Sequence, residues 1–132
     1  MKILNRKDFL NAEPPVLYHK YSPTGDFGEL CIKLSSPKED WGNDWIYQDL
    51  AGWPKGVSNT EEYMMTMAQF ENGSEIMFDL EMGERDGLFE EDELFAVYDW
   101  ADIEQLINKL QSVFAKQRAA HTMTLKDVGT KK

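Results

Sequence analysis

The chain has 132 residues, of which 42% are hydrophobic, with four Trp, seven Phe and five Tyr. That supply of large apolar side chains is enough for one domain with a real core, and it argues against general disorder. The net charge is −10 at pH 7. No apolar run approaches the ~18 residues of a membrane span, and Met1–Asp8 lacks the apolar stretch of a secretory signal, so the expected setting is the cytoplasm without membrane contact.

The charge is unevenly distributed. Residues 1–74 hold 7 bases and 11 acids, residues 75–104 hold Arg85 against 12 acids, and residues 105–132 hold 6 bases and 1 acid. The acidic block would repel phosphates, so direct nucleic-acid binding by the body of the domain is not expected. The same block suits a basic protein surface, including one built to hold nucleic acid. It also suits plain solubility.

In chain order, Asn5 caps a short helix through about Ala12, closed by Pro14-Pro15. Val16–Tyr21 reads as a strand ended by Ser22-Pro23-Thr24-Gly25, and a second strand follows at about Gly28–Leu34. A third spans Asp44–Leu50, and these three form an antiparallel meander. Ser58 with Glu61, or Asn59 with Glu62, starts a helix that runs to Glu71. Its Tyr63, Met64, Met67 and Phe70 form an apolar stripe, and Asn72-Gly73 ends it.

Glu75–Met82 alternates, with Ile76, Phe78, Leu80 and Met82 on one face, and reads as a half-buried strand. Glu93–Tyr98 is its expected hairpin partner. Asp99 or Asp102 caps a last helix to about Arg118, whose apolar face holds Ile103, Leu106, Ile107, Leu110, Val113 and Phe114. Its acidic start and basic end suit the helix dipole. The expected fold is therefore α+β: a single domain over 1–118, with an antiparallel sheet of about five strands packed by two main helices. Residues 119–132 read as a flexible basic tail.

Cys31 is the lone cysteine and lies in Leu30-Cys31-Ile32, where a buried thiol is the ordinary reading. Glu84, Asp86, Gly87 and Glu93 match part of a calcium-loop spacing. Met82 stands where the first carboxylate is required, so no metal site is expected there. Asp79 and Glu81 share a strand face roughly 7 Å apart by the strand rise, which permits metal-assisted hydrolysis but is also what an exposed sheet face looks like. His19 and His121 have no catalytic partner at motif spacing, and Gly25–Gly28 leads into a strand rather than cradling phosphate. No catalytic residue, cofactor or metal ligand is assigned.

Asp8-Phe9-Leu10, Pro15–Tyr21, Phe27–Lys33 and Asn43–Leu50, with a looser echo in Leu94–Asp99, resemble small uncharacterised proteins of tailed bacteriophages and prophages. The likeness covers roughly the first 50 residues. It implies a context in which small proteins bind a host protein or a host defence component. The leading expectation is thus a noncatalytic inhibitor of a host protein with a basic surface. Its nucleic-acid-mimicking face would be Asp79, Glu81, Glu84, Asp86, Glu90, Glu91, Asp92 and Glu93. The alternative is a small-ligand or nucleotide-signal binding protein that stacks its ligand on Trp41, Trp45, Tyr47 and Trp53.

Overall fold

In the computed structural model the described residues are 1–35, 44–86 and 92–129, with side chains through residue 122. The chain divides into two compact units, Met1–Tyr98 and Asp99–Lys132. The first holds strands β1 (Lys2–Asn5), β2 (Val16–Ser22), β3 (Asp26–Phe27), β4 (Cys31–Ser35), β5 (Trp45–Asp49), β6 (Glu84–Asp86) and β7 (Leu94–Val97), with helices α1 (Arg6–Asn11) and α2 (Thr60–Glu71). The second is helix α3 (Trp100–Gly129). The protein is α+β, with one antiparallel sheet ordered β1-β7-β2-β4-β5-β6 and β3 attached to β2.

The meander of β2, β4 and β5 forms as the sequence implies, with Tyr18 opposite Cys31 and Lys33 opposite Tyr47. The connection out of β2 turns at Gly25, whose φ of 91° favours glycine. That turn lets β3 fold back so that Tyr21 faces Phe27. Strand periodicity then puts Val16, Tyr18 and Lys20 of β2 on one sheet face with Cys31, Lys33, Trp45, Tyr47, Phe95 and Val97.

Helix α1 covers this face. Asn5 caps it by accepting from the Asp8 amide at 2.8 Å, and its Phe9 is completely buried. The Phe9 ring stacks on Phe95 at 3.9 Å and meets Tyr18 and Trp45 edge-on at 4.7 and 5.1 Å. The far end of α1 is held by Lys33, which is fully buried. Its Nζ donates to the carbonyls of Phe9, Leu10 and Ala12 at 2.7, 3.1 and 2.8 Å. Burial brings this ammonium down to about 8, against the opposing pull of Glu13.

Several expectations need correction. Glu75–Met82 is not a strand: its sheet-like pairing is one bridge between Phe78 and Pro54. The Asp79 carboxylate accepts from the Glu81 amide at 2.9 Å, a local turn that competes with extended pairing. The edge of β5 is taken instead by β6, with Trp45 opposite Asp86 and Tyr47 opposite Glu84. The C-terminal hairpin does not form either, because β7 runs between β1 and β2. Three of the four β7 residues, Phe95, Ala96 and Val97, are buried, which suits an interior strand better than a hairpin arm. With β1, β3 and β6 added, the sheet has seven strands rather than about five.

The packing also differs from expectation. Helix α2 buries none of its residues and leaves Met64, Met65 and Phe70 exposed, whereas the short α1 packs on this sheet face. Asn59, not Ser58, caps α2 by accepting from the Glu62 amide at 2.8 Å, while the Glu62 carboxylate accepts from the Ser58 amide at 2.7 Å. Tyr63 attaches α2 to the preceding loop by stacking on Trp53 at 5.2 Å. In the second unit, Asp99 and Asp102 cap α3 reciprocally, each carboxylate accepting the other's amide at 2.9 and 3.0 Å. The helix continues past Arg118 to Gly129.

Candidate functional site

The face that carries the Phe9 cluster also carries a cleft. It encloses about 320 Å³ and is lined by Tyr18, Lys20, Gly28, Glu29, Cys31, Tyr47 and Asp86. That volume lies at the lower end of the range typical of small-molecule sites. Strands β2, β4, β5 and β6 supply most of the wall, and the β3–β4 connection adds Gly28 and Glu29. A rigid sheet therefore fixes the spacing of its polar groups.

One side of the cleft is an ion network. Lys20 Nζ lies 2.7 Å from Asp86 Oδ2 and 2.8 Å from Glu93 Oε1. Glu93 is also bound by Arg6 Nη1 at 2.6 Å. Both cations sit over the Trp45 ring, Arg6 at 5.0 Å and Lys20 at 5.5 Å from its centre. Burial by itself would lower the Lys20 ammonium. Its hydrogen bonds to the Asp86 and Glu93 carboxylates, and their charges, outweigh it and raise the group above the ordinary lysine value.

Glu29 also lines the cleft, with the Asp49 carboxyl as its hydrogen-bonding neighbour, although Asp49 itself borders a separate cavity. That shared proton, with burial and the Asp49 charge, lifts Glu29 to about 7. Burial first, then the charges of Asp49 and Glu29, raise the Cys31 thiol to about 12, so it is no nucleophile at neutral pH. Tyr18 OH accepts from Trp45 Nε1 at 2.9 Å, and burial holds its phenol above the usual range. Tyr47, raised first by burial and then by Glu84, donates to Glu84 Oε2 at 3.0 Å. The site thus presents phenols and a carboxyl pair beside a lysine already matched to two acids.

The acids named from the sequence meet different fates. Asp86 and Glu93 are members of the ion network, with side chains 6% and 10% exposed. Glu84 is exposed and bonded to Tyr47, while Glu81 and Asp92 are exposed and Asp79 is half-buried. Glu90 and Glu91 lie outside the described residues. Asp79 and Glu81 occupy a turn rather than one strand face, so the spacing that motivated metal-assisted hydrolysis is absent. Among the described residues, no group of three or more His, Cys, Asp or Glu could hold a metal ion.

The aromatics are similarly divided. Trp45 is fully buried and offers no face to a ligand. Tyr47 lines the cleft. Trp53 donates to the Val57 carbonyl at 2.8 Å and borders a separate cavity of about 60 Å³ with Asp49, Gly52, Met82 and Glu84. Trp41 lies outside the described residues. His19 bonds the Gly28 carbonyl through Nδ1 at 2.8 Å and the Tyr98 hydroxyl through Nε2 at 2.6 Å. A neutral ring satisfies both, as donor to the carbonyl and acceptor from the phenol.

Lys20, Glu29 and Asp49 were not singled out from the sequence. The signal for Lys20 was present: it follows Val16 and Tyr18 at strand period, so this lysine of β2 falls on the inward face, where a cation needs acids. Glu29 and Asp49 gave no such signal, because they meet through β4–β5 register, where Cys31 faces Asp49.

No family model, curated protein or solved structure matches the chain. No helix among the described residues is long and apolar enough to cross a membrane.

Proposed function

We propose that this is a binding protein that takes a small polar ligand bearing an amine or guanidine into the sheet-face cleft. The observation that carries this reading is Glu29 on the cleft wall with the Asp49 carboxyl beside it, in a cleft whose one lysine, Lys20, is already matched to Asp86 and Glu93. A cationic group reaching the pair would replace the shared proton. Tyr47 and Tyr18 would supply an aromatic and hydroxyl-bearing wall beside it. Chemistry on the ligand is not part of the reading, since the thiol and phenols of the cleft are held protonated at neutral pH.

The test is a thermal-shift screen of small amines, guanidines and nucleosides at pH 6 and pH 8. A ligand selective for the native state raises the melting temperature. A cationic hit should act more strongly at pH 8, above the raised value of about 7 for Glu29, and Glu29→Gln should remove most of that difference. Neutral hits that ignore both pH and Glu29→Gln would remove the role given to the carboxyl pair.

A second reading keeps the protein-binding expectation: an accessory protein, in a phage or prophage setting, that engages the basic surface of a host protein in the cytoplasm. The exposed carboxylates of Glu81, Glu84 and Asp92 favour it. Its face is smaller than the sequence suggested, because Asp86 and Glu93 are committed to Lys20 and Arg6. Pull-down from bacterial lysate, washed at rising salt, tests it: a salt-released partner lost on reversing Glu81 and Asp92 is the expected result.

A further inference from the structure

Helix α3 carries an apolar seam of a particular period. Trp100, Ile103, Ile107, Leu110 and Phe114 follow one another at intervals of 3, 4, 3 and 4 residues, with Leu106 and Val113 flanking them. A strict alternation of three and four is the spacing of a helix paired with another helix. The seam is exposed: Trp100 at 76%, Ile107 at 47%, Leu110 at 58% and Phe114 at 62%.

We infer that α3 pairs with α3 of a second copy of this chain, the two helices running antiparallel. Charge decides the direction. The helix opens with Asp102 and Glu104 just after Asp99, and carries Lys109, Lys116 and Arg118 further on. A parallel pair stacks acidic start on acidic start and aligns the two helix dipoles. In the seam's heptad it also faces Asp99 with Glu104 across the interface, which is repulsive.

The antiparallel register that keeps apolar layers intact sets Ile103 against Phe114, and Ile107 against Leu110, of the second copy. It then brings residues 99–104 of one chain to the level of residues 113–118 of the other. The acidic start thereby lies beside Lys116 and Arg118, and the dipoles oppose. The seam spans roughly 21 Å at about 1.5 Å per residue, enough for several successive layers.

The full-length protein tests this by sedimentation equilibrium over a range of concentrations. A monomer–dimer equilibrium is expected, and Leu110→Glu should weaken it at least tenfold while the near-ultraviolet signal of the buried Trp45 cluster is unchanged. Phe114→Lys is the second variant, should the first alter helicity. Direction is read by oxidising variants that each carry one introduced cysteine in addition to the buried Cys31. Ile103→Cys chains mixed with Phe114→Cys chains should cross-link to each other, with neither linking to itself. A protein monomeric at every concentration, or a dimer indifferent to Leu110→Glu and Phe114→Lys, overturns the pairing. Self-linking of Ile103→Cys overturns its direction.

Discussion

Asp86 with Glu93, and Asp79 with Glu81, come from the same acidic stretch yet do opposite things. The first pair closes on Lys20 and Arg6 and is nearly buried. The second sits in a turn, where Asp79 accepts the Glu81 amide and Glu81 faces solvent. A count of charge treats these four residues alike. What separates them is whether strand register delivers a cation: β2 presents Lys20 to Asp86 and Glu93, whereas Asp79 turns back on the Glu81 amide. An acidic block is therefore two objects, an internal network that shapes a cleft and a solvated remainder.

The sharpest break of this comparison is Lys20→Met. It takes the nearby cation from the buried Asp86 carboxylate and strips Glu93 of one partner; breaking a fully buried pair costs about 3–5 kcal/mol, and the 35% exposure of Lys20 makes the loss smaller here. Urea unfolding should show it as a lower midpoint at unchanged slope. Next is Glu93→Gln, which weakens the contacts to both Arg6 and Lys20 but keeps the shape. A loss of about 1.5–3 kcal/mol is expected for hydrogen bonds to charged groups. Glu81→Gln at the solvated end should change stability by no more than about 0.5 kcal/mol. A large effect there, or none at Lys20, would erase the distinction.

The smallest effect is in the pH profile. Glu29 is raised to about 7 from its ordinary 4.5, so between those values the native protein holds more protons than the unfolded chain. Stability from this group is complete below 4.5 and is lost as pH rises through 7. Glu29→Gln should flatten that decline in melting temperature. The exposed position of Glu29 keeps the change small.

The sequence was most readable where local rules and tertiary demand agreed. The β2–β4–β5 meander, the Asn5 cap and the Asn59–Glu62 box each follow from residues a few positions apart, and each formed. Glu75–Met82 alternates cleanly in sequence, yet a strand also needs a free edge, and β6 occupied the one on β5. Strand β7 was identified but placed wrongly, since four apolar residues in a row do not say which neighbours they will have. The cleft was legible only in part, because Tyr18, Lys20, Glu29, Tyr47, Asp49 and Asp86 meet through sheet order rather than spacing. The aromatics named for a pocket show the converse error: Trp45 went to the core and Trp53 to a separate cavity, leaving Tyr47 at the site.

The most direct test is a titration of the full-length protein at pH 8 with the best amine or guanidine from the thermal screen, followed by amide nuclear magnetic resonance. The account predicts saturable shifts at Gly28, Glu29, Cys31 and Tyr47, which are lost in Glu29→Gln. Shifts confined to Glu81 and Asp92, or none in the cleft, would contradict it and return the acidic surface to first place.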